Sequence, residues 1–160
     1  ASTLRALAAP ARQILAVGIE TARPAPGVLD AIAEADVVLL PPSNPVVSIG
    51  TILGVPGIRE ALRATAAPVV GVSPIVAGAP VRGMADACLT AIGVPTTAAA
   101  VAGLYADFLD GWLVAESDGA ETGWPDSVNV ISRPLLMTDP AATAGIAAAA
   151  LDLAAKLSTR

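Results

Sequence analysis

The sequence predicts a single α/β domain over residues 1–160, with a mostly parallel β-sheet between two layers of helices. Three observations support this fold class. Hydrophobic residues make up 54% of the chain and charged residues 14%, which suits a sheet that is buried on both faces. Short apolar runs alternate with helical patterns, as they do in βαβ units. Polar loops directly follow two of these runs, at the ends where parallel sheets place ligand crevices.

Six apolar runs are predicted as strands, because each is short and most are bounded by residues typical of turns. They cover 13–19, 37–40, 68–72, 96–101, 112–115 and 128–131. Alanines dominate the run 96–101 and make it the weakest strand pattern of the six. The last two runs lie close together in sequence, which makes them candidates for an antiparallel edge of the sheet.

Helices are predicted where apolar residues recur at a spacing of three or four positions. They cover 26–35, 49–53, 58–65, 82–92 and a final segment that starts at 140. Gly93 and Pro95 form a stop signal for the fourth helix. Asp139 precedes Pro140 as a cap for the last helix, where Ile146 and Leu153 belong to one buried stripe.

The composition excludes several classes of function. The net charge is −5 and only 2% of the residues are aromatic, so we expect no nucleic-acid partner. No uninterrupted apolar run reaches ~18 residues, so we expect no membrane span. The chain contains no His, which argues against zinc chemistry. Its single cysteine, Cys88, is expected to be buried in a helix, and a lone cysteine suits a reducing, cytoplasmic location.

The first loop, residues 41–50, is the most informative segment of the chain. It carries Ser43, Asn44 and Ser48 immediately after an apolar strand pattern, and a helix begins near Ile49 and Gly50. Serine hydroxyls and the free N–H groups of a helix start can bind phosphate oxygens without a net positive charge. The same side chains could instead only cap the helix. Local chemistry leaves both interpretations open.

The second loop, residues 73–82, follows the next strand and repeats this arrangement. Ser73, Pro74 and Ile75 come directly after the strand, and Gly78 and Arg82 follow them. Glycine permits close approach of a ligand to the backbone, and an arginine there could meet a phosphate. A proline turn and a solvated arginine are the structural alternatives.

Acidic residues form two further groups. Asp107 and Asp110 could contact a magnesium ion or a sugar hydroxyl, although a surface turn is the commoner explanation. Asp118 and Glu121 are interpreted as residues that solvate a loop.

Taken together, several ordered segments resemble the CofD-like transferases of coenzyme F-420 biosynthesis. The resemblance extends from about residue 20 to the C-terminus. The matching segments are 35–40, 42–50, 55–59, 68–75, 82–86, Tyr105, 109–112 and 134–137.

The resemblance implies a Rossmann-like three-layer domain that forms the C-terminal part of a longer transferase. Such an enzyme moves a phospholactyl or phosphoenolpyruvyl group from a guanosine diphosphate-linked donor to the deazaflavin Fo and releases GMP. Magnesium would bridge the diphosphate, with protein ligands outside this chain. The resemblance also implies that the residues of the two loops bind the nucleotide phosphates, and that the chain forms a homo-oligomer or pairs with another half. The nucleotide-binding candidates are Ser43, Asn44, Ser48, Ile49, Gly50, Ser73, Pro74, Ile75, Gly78 and Arg82.

Three departures from the family pattern leave the catalytic residues unassigned. Pro41 replaces a glycine, Ala77-Gly78-Ala79 replaces Gly-Gly-Lys, and Leu104-Tyr105-Ala106 replaces His-Tyr-Gly. The glycine-rich start of the family is not visible in this chain. Two alternatives therefore stay open: a non-catalytic module that binds a nucleotide or nucleotide sugar, and a structural half-domain that needs a partner chain.

Overall fold

The structure is a computed structural model, and it describes residues 13–158. Its helices are α1 to α6, in chain order Val28–Ala33, Gly50–Gly54, Ile58–Ala64, Ala85–Ala91, Ala98–Gly103 and Pro140–Leu157. A π-helical turn, Pro45–Ile49, leads into α2. The strands β1 to β6 are Val38–Leu40, Val69–Val72, Ile75–Val76, Ala79–Pro80, Gly111–Ala115 and Asn129–Arg133.

Four strands form the central sheet in the order β1-β2-β5-β6, and all are parallel. One apolar core joins α1 to α5 and the π-helical turn to one face of the sheet. A second core packs α6 on the opposite face through Ile146, Ala150 and Leu153. The prediction of a three-layer α/β domain with a largely parallel sheet is confirmed.

The predicted antiparallel edge is wrong. β6 runs parallel to β5, with Gly111 opposite Asn129 and Ala115 opposite Arg133. The segment between the two strands returns along the sheet to the start of β6, and it is long enough for a crossover without an α-helix of its own. Within 13–158, antiparallel pairing is confined to the small β3–β4 hairpin.

Two predicted strands are also wrong. Residues 13–19 form no strand, and Leu15 and Val17 are 69% and 94% exposed, so no burial stabilises an extended conformation there. Residues 96–101 lie mostly in helix α5, because alanine is the best helix former and two side chains cap the first turn. Thr97 Oγ1 accepts from the Ala100 N–H at 3.1 Å. Glu121 accepts from the N–H groups of Ala98 and Ala99, so it is a helix cap rather than a solvating residue.

Helix α6 has the length and composition of a membrane span, with a mean hydropathy of 1.2. The π-helical turn with α2, taken together with α3, also passes this test as a pair bent by 84°. The test uses length and composition only, and core helices of soluble proteins also pass it. In α6, 22% of the span is buried, through Ile146, Ala150, Leu153 and Ala154. Asp139 caps this helix as predicted and accepts from the Ala142 N–H at 2.8 Å.

Candidate functional site

The two polar loops lie at the same edge of the sheet. β1 and β2 are parallel neighbours, with Leu40 opposite Gly71. Ser43 follows the end of β1 and Ser73 follows the end of β2, so both residues occupy the carboxyl edge. This is where open α/β sheets bind their ligands. The chain topology thus brings together the two segments that the sequence singled out.

Asn44 caps the helical turn of the first loop. Its Oδ1 accepts from the N–H groups of Val46 and Val47 at 2.9 and 3.1 Å. Its carbonyl oxygen accepts from those of Ser48 and Ile49 at 3.2 and 3.0 Å. The Asn44 amide nitrogen donates to Cys88 Sγ at 3.6 Å, which ties the loop to α4. Asn44 therefore has the geometry of the capping alternative.

The backbone N–H groups of residues 46–50 in the first loop already donate to other atoms of the loop. Besides the bonds to Asn44, the Gly50 N–H donates to the Pro45 carbonyl oxygen. A Cβ atom on Gly50 would lie 2.8 Å from that oxygen, so the π-helical turn explains why glycine stands there. A phosphate at this loop would meet side-chain hydroxyls rather than the expected free amides of Ile49 and Gly50.

Ser43 and Ser48 carry the available polar groups of the first loop. Both residues are half-buried, and neither hydroxyl hydrogen-bonds to another residue within 13–158. The Ser43 N–H donates to the Pro41 carbonyl oxygen at 2.7 Å, which bends the chain directly after β1. A hydroxyl can donate to an anionic oxygen without the desolvation cost of a buried charge.

The second loop uses its serine internally. Ser73 is 2% exposed, and its Oγ donates to the Ile75 carbonyl oxygen at 3.0 Å and accepts from the Ile75 N–H at 3.1 Å. Ile75 is fully buried, and Pro74 between them is half-buried. Ser73 and Ile75 thus shape the loop, and in this conformation the hydroxyl has no free proton for a ligand.

The tip of the second loop is held by Asp118, which the sequence had suggested was a residue that solvates a loop. Asp118 is only 5% exposed, and its oxygens accept from the N–H groups of Ala77 and Gly78 at 2.9 and 3.0 Å. Both donors have a positive φ, 52° and 70°, as a tight hairpin turn requires. Asp118 lies just beyond the end of β5, so a third strand end at the same edge was the signal that could have identified it.

Arg82 lies in an exposed, irregular segment between β4 and α4. The predicted start of the helix at Arg82 is wrong, since α4 begins at Ala85. Arg82 forms no ion pair with another residue of the described chain. Its guanidinium is therefore available at the carboxyl edge. Cys88, in the middle of α4, is half-buried rather than fully buried.

Asp107 and Asp110 lie away from this edge, near the amino ends of the strands. Asp110 Oδ2 accepts from the Val69 N–H at 2.8 Å, where β2 begins. Asp107 accepts from Arg59 Nε at 2.9 Å, and hydrogen bonds from this guanidinium lower the pKa of the Asp107 carboxyl. Both carboxylates have structural partners. Among residues 13–158, no three His, Cys, Asp or Glu side chains cluster in a way that could hold a metal ion.

Comparison of the sequence with known proteins identifies relatives of this chain. The chain is 62% identical over 152 residues to the phosphoenolpyruvate transferase of Thermobifida fusca strain YX. The aligned region covers 94% of this chain and 46% of that protein. It is 61% identical over 147 residues to the phosphoenolpyruvate transferase of Kitasatospora aureofaciens, covering 90% and 46%. The corresponding enzyme of Mycobacterium marinum is 60% identical over 150 residues, covering 91% and 45%.

The chain spans about half the length of the curated relatives it matches. The sequence model of a protein family described as 2-phospho-L-lactate transferase CofD matches residues 2–138 of the chain. This match covers most of the chain and includes both loops of the carboxyl edge. The chain belongs to the CofD family of 2-phospho-L-lactate transferases.

Proposed function

We propose that this chain is the nucleotide-binding part of a transferase that moves a phosphoenolpyruvyl or phospholactyl group. The donor is a guanosine diphosphate-linked compound, the acceptor is the deazaflavin Fo, and GMP is released during coenzyme F-420 biosynthesis in the cytoplasm. Family membership and the names of the relatives support the transfer reaction. One structural observation carries the assignment of the site: the half-buried hydroxyls of Ser43 and Ser48, which have no hydrogen-bond partner within 13–158, lie at the carboxyl edge beside the end of β2.

The proposed division of labour within the site follows from the hydrogen bonds. Ser43 and Ser48 donate to phosphate oxygens of the nucleotide, and Asn44 holds the turn that carries them. Ser73 and Ile75 support the second loop from below, Gly78 lies at its tip, and Arg82 supplies the positive charge. Phosphoryl transfer depends mainly on positioning and charge stabilisation, which this set of residues supplies without a covalent nucleophile.

Magnesium does not fit the described residues as a resident ion. Both oxygens of Asp118, the one buried carboxylate near the second loop within 13–158, already accept backbone N–H groups. Asp107 and Asp110 lie near the opposite edge with partners of their own. We therefore assign no step of the reaction to a metal held by these residues.

Calorimetry with GDP tests the proposed site. The unaltered chain should bind GDP, and the double variant Ser43→Ala/Ser48→Ala should bind at least about tenfold more weakly, because each hydrogen bond to a charged phosphate contributes roughly 1.5–3 kcal/mol. Ser158→Ala is the matched control, since this serine follows α6, whose last turn packs near Gly111 at the amino end of β5. It should leave the affinity unchanged.

Two results would contradict the proposal. One is the absence of binding heat with the unaltered chain, and the other is equal GDP affinity in the unaltered chain and the double variant. Turnover requires a separate assay, in which the full-length Thermobifida fusca relative is given Fo and the activated donor and GMP is measured. The same two serine substitutions at the aligned positions should slow the release of GMP.

A further inference from the structure

An open cavity of about 280 Å³ lies in the layer of helices α1 to α5, behind the π-helical turn of the first loop. Most of its lining side chains are apolar: Pro45, Val46, Leu53, Ile92 and Leu104. An engineered apolar cavity of about 150 Å³ already holds benzene, so this one has room for a ring with a substituent.

Tyr105 supplies a polar group to this mostly apolar cavity. It is 3% exposed, and its ring packs against Phe108 and Trp112 with centroid distances of 5.9 and 6.1 Å. The Tyr105 hydroxyl hydrogen-bonds to no residue within 13–158. Among these residues Trp112 Nε1 is the one fully enclosed side-chain donor without a partner, so the Tyr105 hydroxyl still reaches open space. The cavity that Tyr105 lines is that space.

The Tyr105 hydroxyl stays protonated. Burial raises its pKa well above the usual range of tyrosine, and the positive charge of Arg59 offsets only part of this effect. A buried hydroxyl without a partner is costly, because it has lost its hydrogen bonds to water. An acceptor oxygen in the cavity would recover that cost.

Arg59 is the second polar residue at the cavity. Its Nε and Nη2 donate to the Asp107 carboxylate, and Nη2 also donates to the Leu104 carbonyl oxygen at 2.9 Å. The guanidinium carbon lies 5.2 Å from the centroid of the Phe108 ring. Nη1 takes part in none of these hydrogen bonds. Because Asp107 balances the charge of this fixed group, the cavity suits a neutral acceptor better than an anion.

We propose that this cavity is a binding site for a small neutral molecule that consists of an apolar ring and a carbonyl group. The apolar walls receive the ring, and the Tyr105 hydroxyl donates to the carbonyl oxygen. Arg59 Nη1 offers a second donor at the same cavity. Val46 lines the cavity and belongs to the same π-helical turn as Ser48, so an occupant contacts the back of the first loop.

Titration with a matched pair of ligands tests this site. Acetophenone and ethylbenzene share the ring and the length of the substituent, and only acetophenone has the carbonyl oxygen. In NMR spectra of the unaltered chain, both ligands should shift the backbone amides of Val46, Gly50 and Leu104 in a saturable manner. Acetophenone should cause the same saturable shifts at the aligned amides of the full-length Thermobifida fusca relative.

The variant Tyr105→Phe isolates the hydroxyl. It should weaken the binding of acetophenone roughly threefold to tenfold, which is the effect of one lost hydrogen bond. The affinity for ethylbenzene should stay the same, because the ring walls are unchanged. Comparing the two ligands in one variant separates the hydrogen bond from any general change in the cavity.

Two further measurements check the cavity itself. Without ligand, Tyr105→Phe should melt no more than about 2 °C below the unaltered chain, because the hydroxyl has no partner to lose within the described chain. Ile92→Trp should abolish the shifts for both ligands, since the indole occupies the cavity. Ile92 is 44% exposed, so the larger side chain is tolerated at this position.

Several results would overturn the inference. Acetophenone could cause no saturable shifts, which would leave water as the occupant, or its shifts could fall on residues outside the cavity. Tyr105→Phe could weaken both ligands equally, or it could melt more than about 2 °C lower and so reveal a partner of the hydroxyl in the chain. Binding could also be absent from the full-length relative, which would mean that another part of the polypeptide covers the cavity. GDP enters none of these measurements, so they stand apart from the proposed function.

Discussion

The first and second loops start from the same pattern, a serine just after an apolar strand, and they reach opposite outcomes. In the first loop the hydroxyls of Ser43 and Ser48 are left without a partner in the described chain, while Asn44 takes up the nearby amides. In the second loop Ser73 is 2% exposed and bonds to both backbone groups of Ile75. Within 13–158, the first loop thus leaves two serine hydroxyls without a hydrogen-bond partner, whereas the hydroxyl of the second loop bonds to its own backbone.

The difference shows that a strand-end serine does not by itself define a ligand site. The serine hydroxyl stays available only where another group accepts the backbone N–H groups of the turn. Asn44 accepts them in the first loop, and Ser43 and Ser48 keep hydroxyls without a partner within 13–158. In the second loop Ser73 has to do so itself, and the hairpin beyond it depends on Asp118 from a third strand end. These hydrogen bonds fit the proposal that the second loop supports the site and that the first loop contacts the nucleotide.

The largest expected effect is the loss of the carboxylate that holds the second loop. Asp118→Ala should lower the free energy of unfolding by about 2–3 kcal/mol, because it removes two charge-assisted hydrogen bonds from a buried position. Asp118→Asn should cost less, since one acceptor oxygen remains. Asp126→Ala removes an equal charge from an exposed position of the same connection and is the control. Urea unfolding measures all three, and equal stability of the Ala variant and the control would refute the bracing role.

Two glycine substitutions sharpen the comparison between the loops. Gly50→Ala should cost about 1–2 kcal/mol through overpacking, because the new Cβ meets the Pro45 carbonyl oxygen at 2.8 Å. Gly78→Ala should cost about 1 kcal/mol for a different reason, since its φ is +70° with open space around it. GDP affinity separates the two variants: it should fall for Gly50→Ala, which shifts the turn that bears Ser48, and hold for Gly78→Ala.

Gly145→Ala is the control for this pair. Gly145 lies at an exposed position of helix α6 with nothing within 4 Å of the added Cβ, so the substitution should stabilise the chain by roughly 0.5–1 kcal/mol. If GDP affinity falls equally for Gly50→Ala and Gly78→Ala, the two loops share the contact surface and the proposed division between them is wrong.

The smallest effect concerns an ion pair outside both loops. Arg59 lowers the pKa of the Asp107 carboxyl in the folded chain, so the carboxylate contributes stability above its ordinary pKa range and loses it as the pH falls. Asp107→Asn should therefore be less stable than the unaltered chain at neutral pH, and the gap should close below about pH 4. The Arg59 and Asp107 side chains are 36% and 34% exposed, so solvent screening keeps the stability difference small.

Thermal melting at several pH values measures this gap. Added salt should narrow it at neutral pH, because exposed charges are screened. A gap that is the same at pH 3 and pH 7 would exclude the ion pair as its source. The GDP affinity of the Asp107→Asn variant should equal that of the unaltered chain. This variant is therefore a baseline for the other substitutions.

Much of the fold could be predicted from the chain's local patterns. The apolar runs at β1, β2, β5 and β6 and the cap at Asp139 carried clear signals. The elements predicted wrongly were those whose conformation depends on residues distant in sequence. Residues 96–101 lie mostly in a helix that Glu121 caps, and residues 13–19 pair with no strand of the described chain.

The candidate site divides in the same way. The positions of Ser43, Asn44 and Ser73 at strand ends followed from the order of apolar runs, because parallel strands direct all their carboxyl ends to one edge. The hydrogen-bond partner of each side chain did not follow from that order. Asp118 and Glu121 have ordinary loop surroundings in the sequence, and only the return of the chain from β5 to β6 brings them to the backbone groups they hold.

The sequence by itself determined the α/β class, the parallel direction of most strands and the placement of two polar loops at one edge of the sheet, since apolar periodicity and turn residues act over a few neighbouring positions. The tertiary structure alone decided which hydroxyls lack a partner among the described residues and which carboxylates are buried. Those outcomes depend on competition between donors and acceptors that lie tens of residues apart in the chain and meet only after folding.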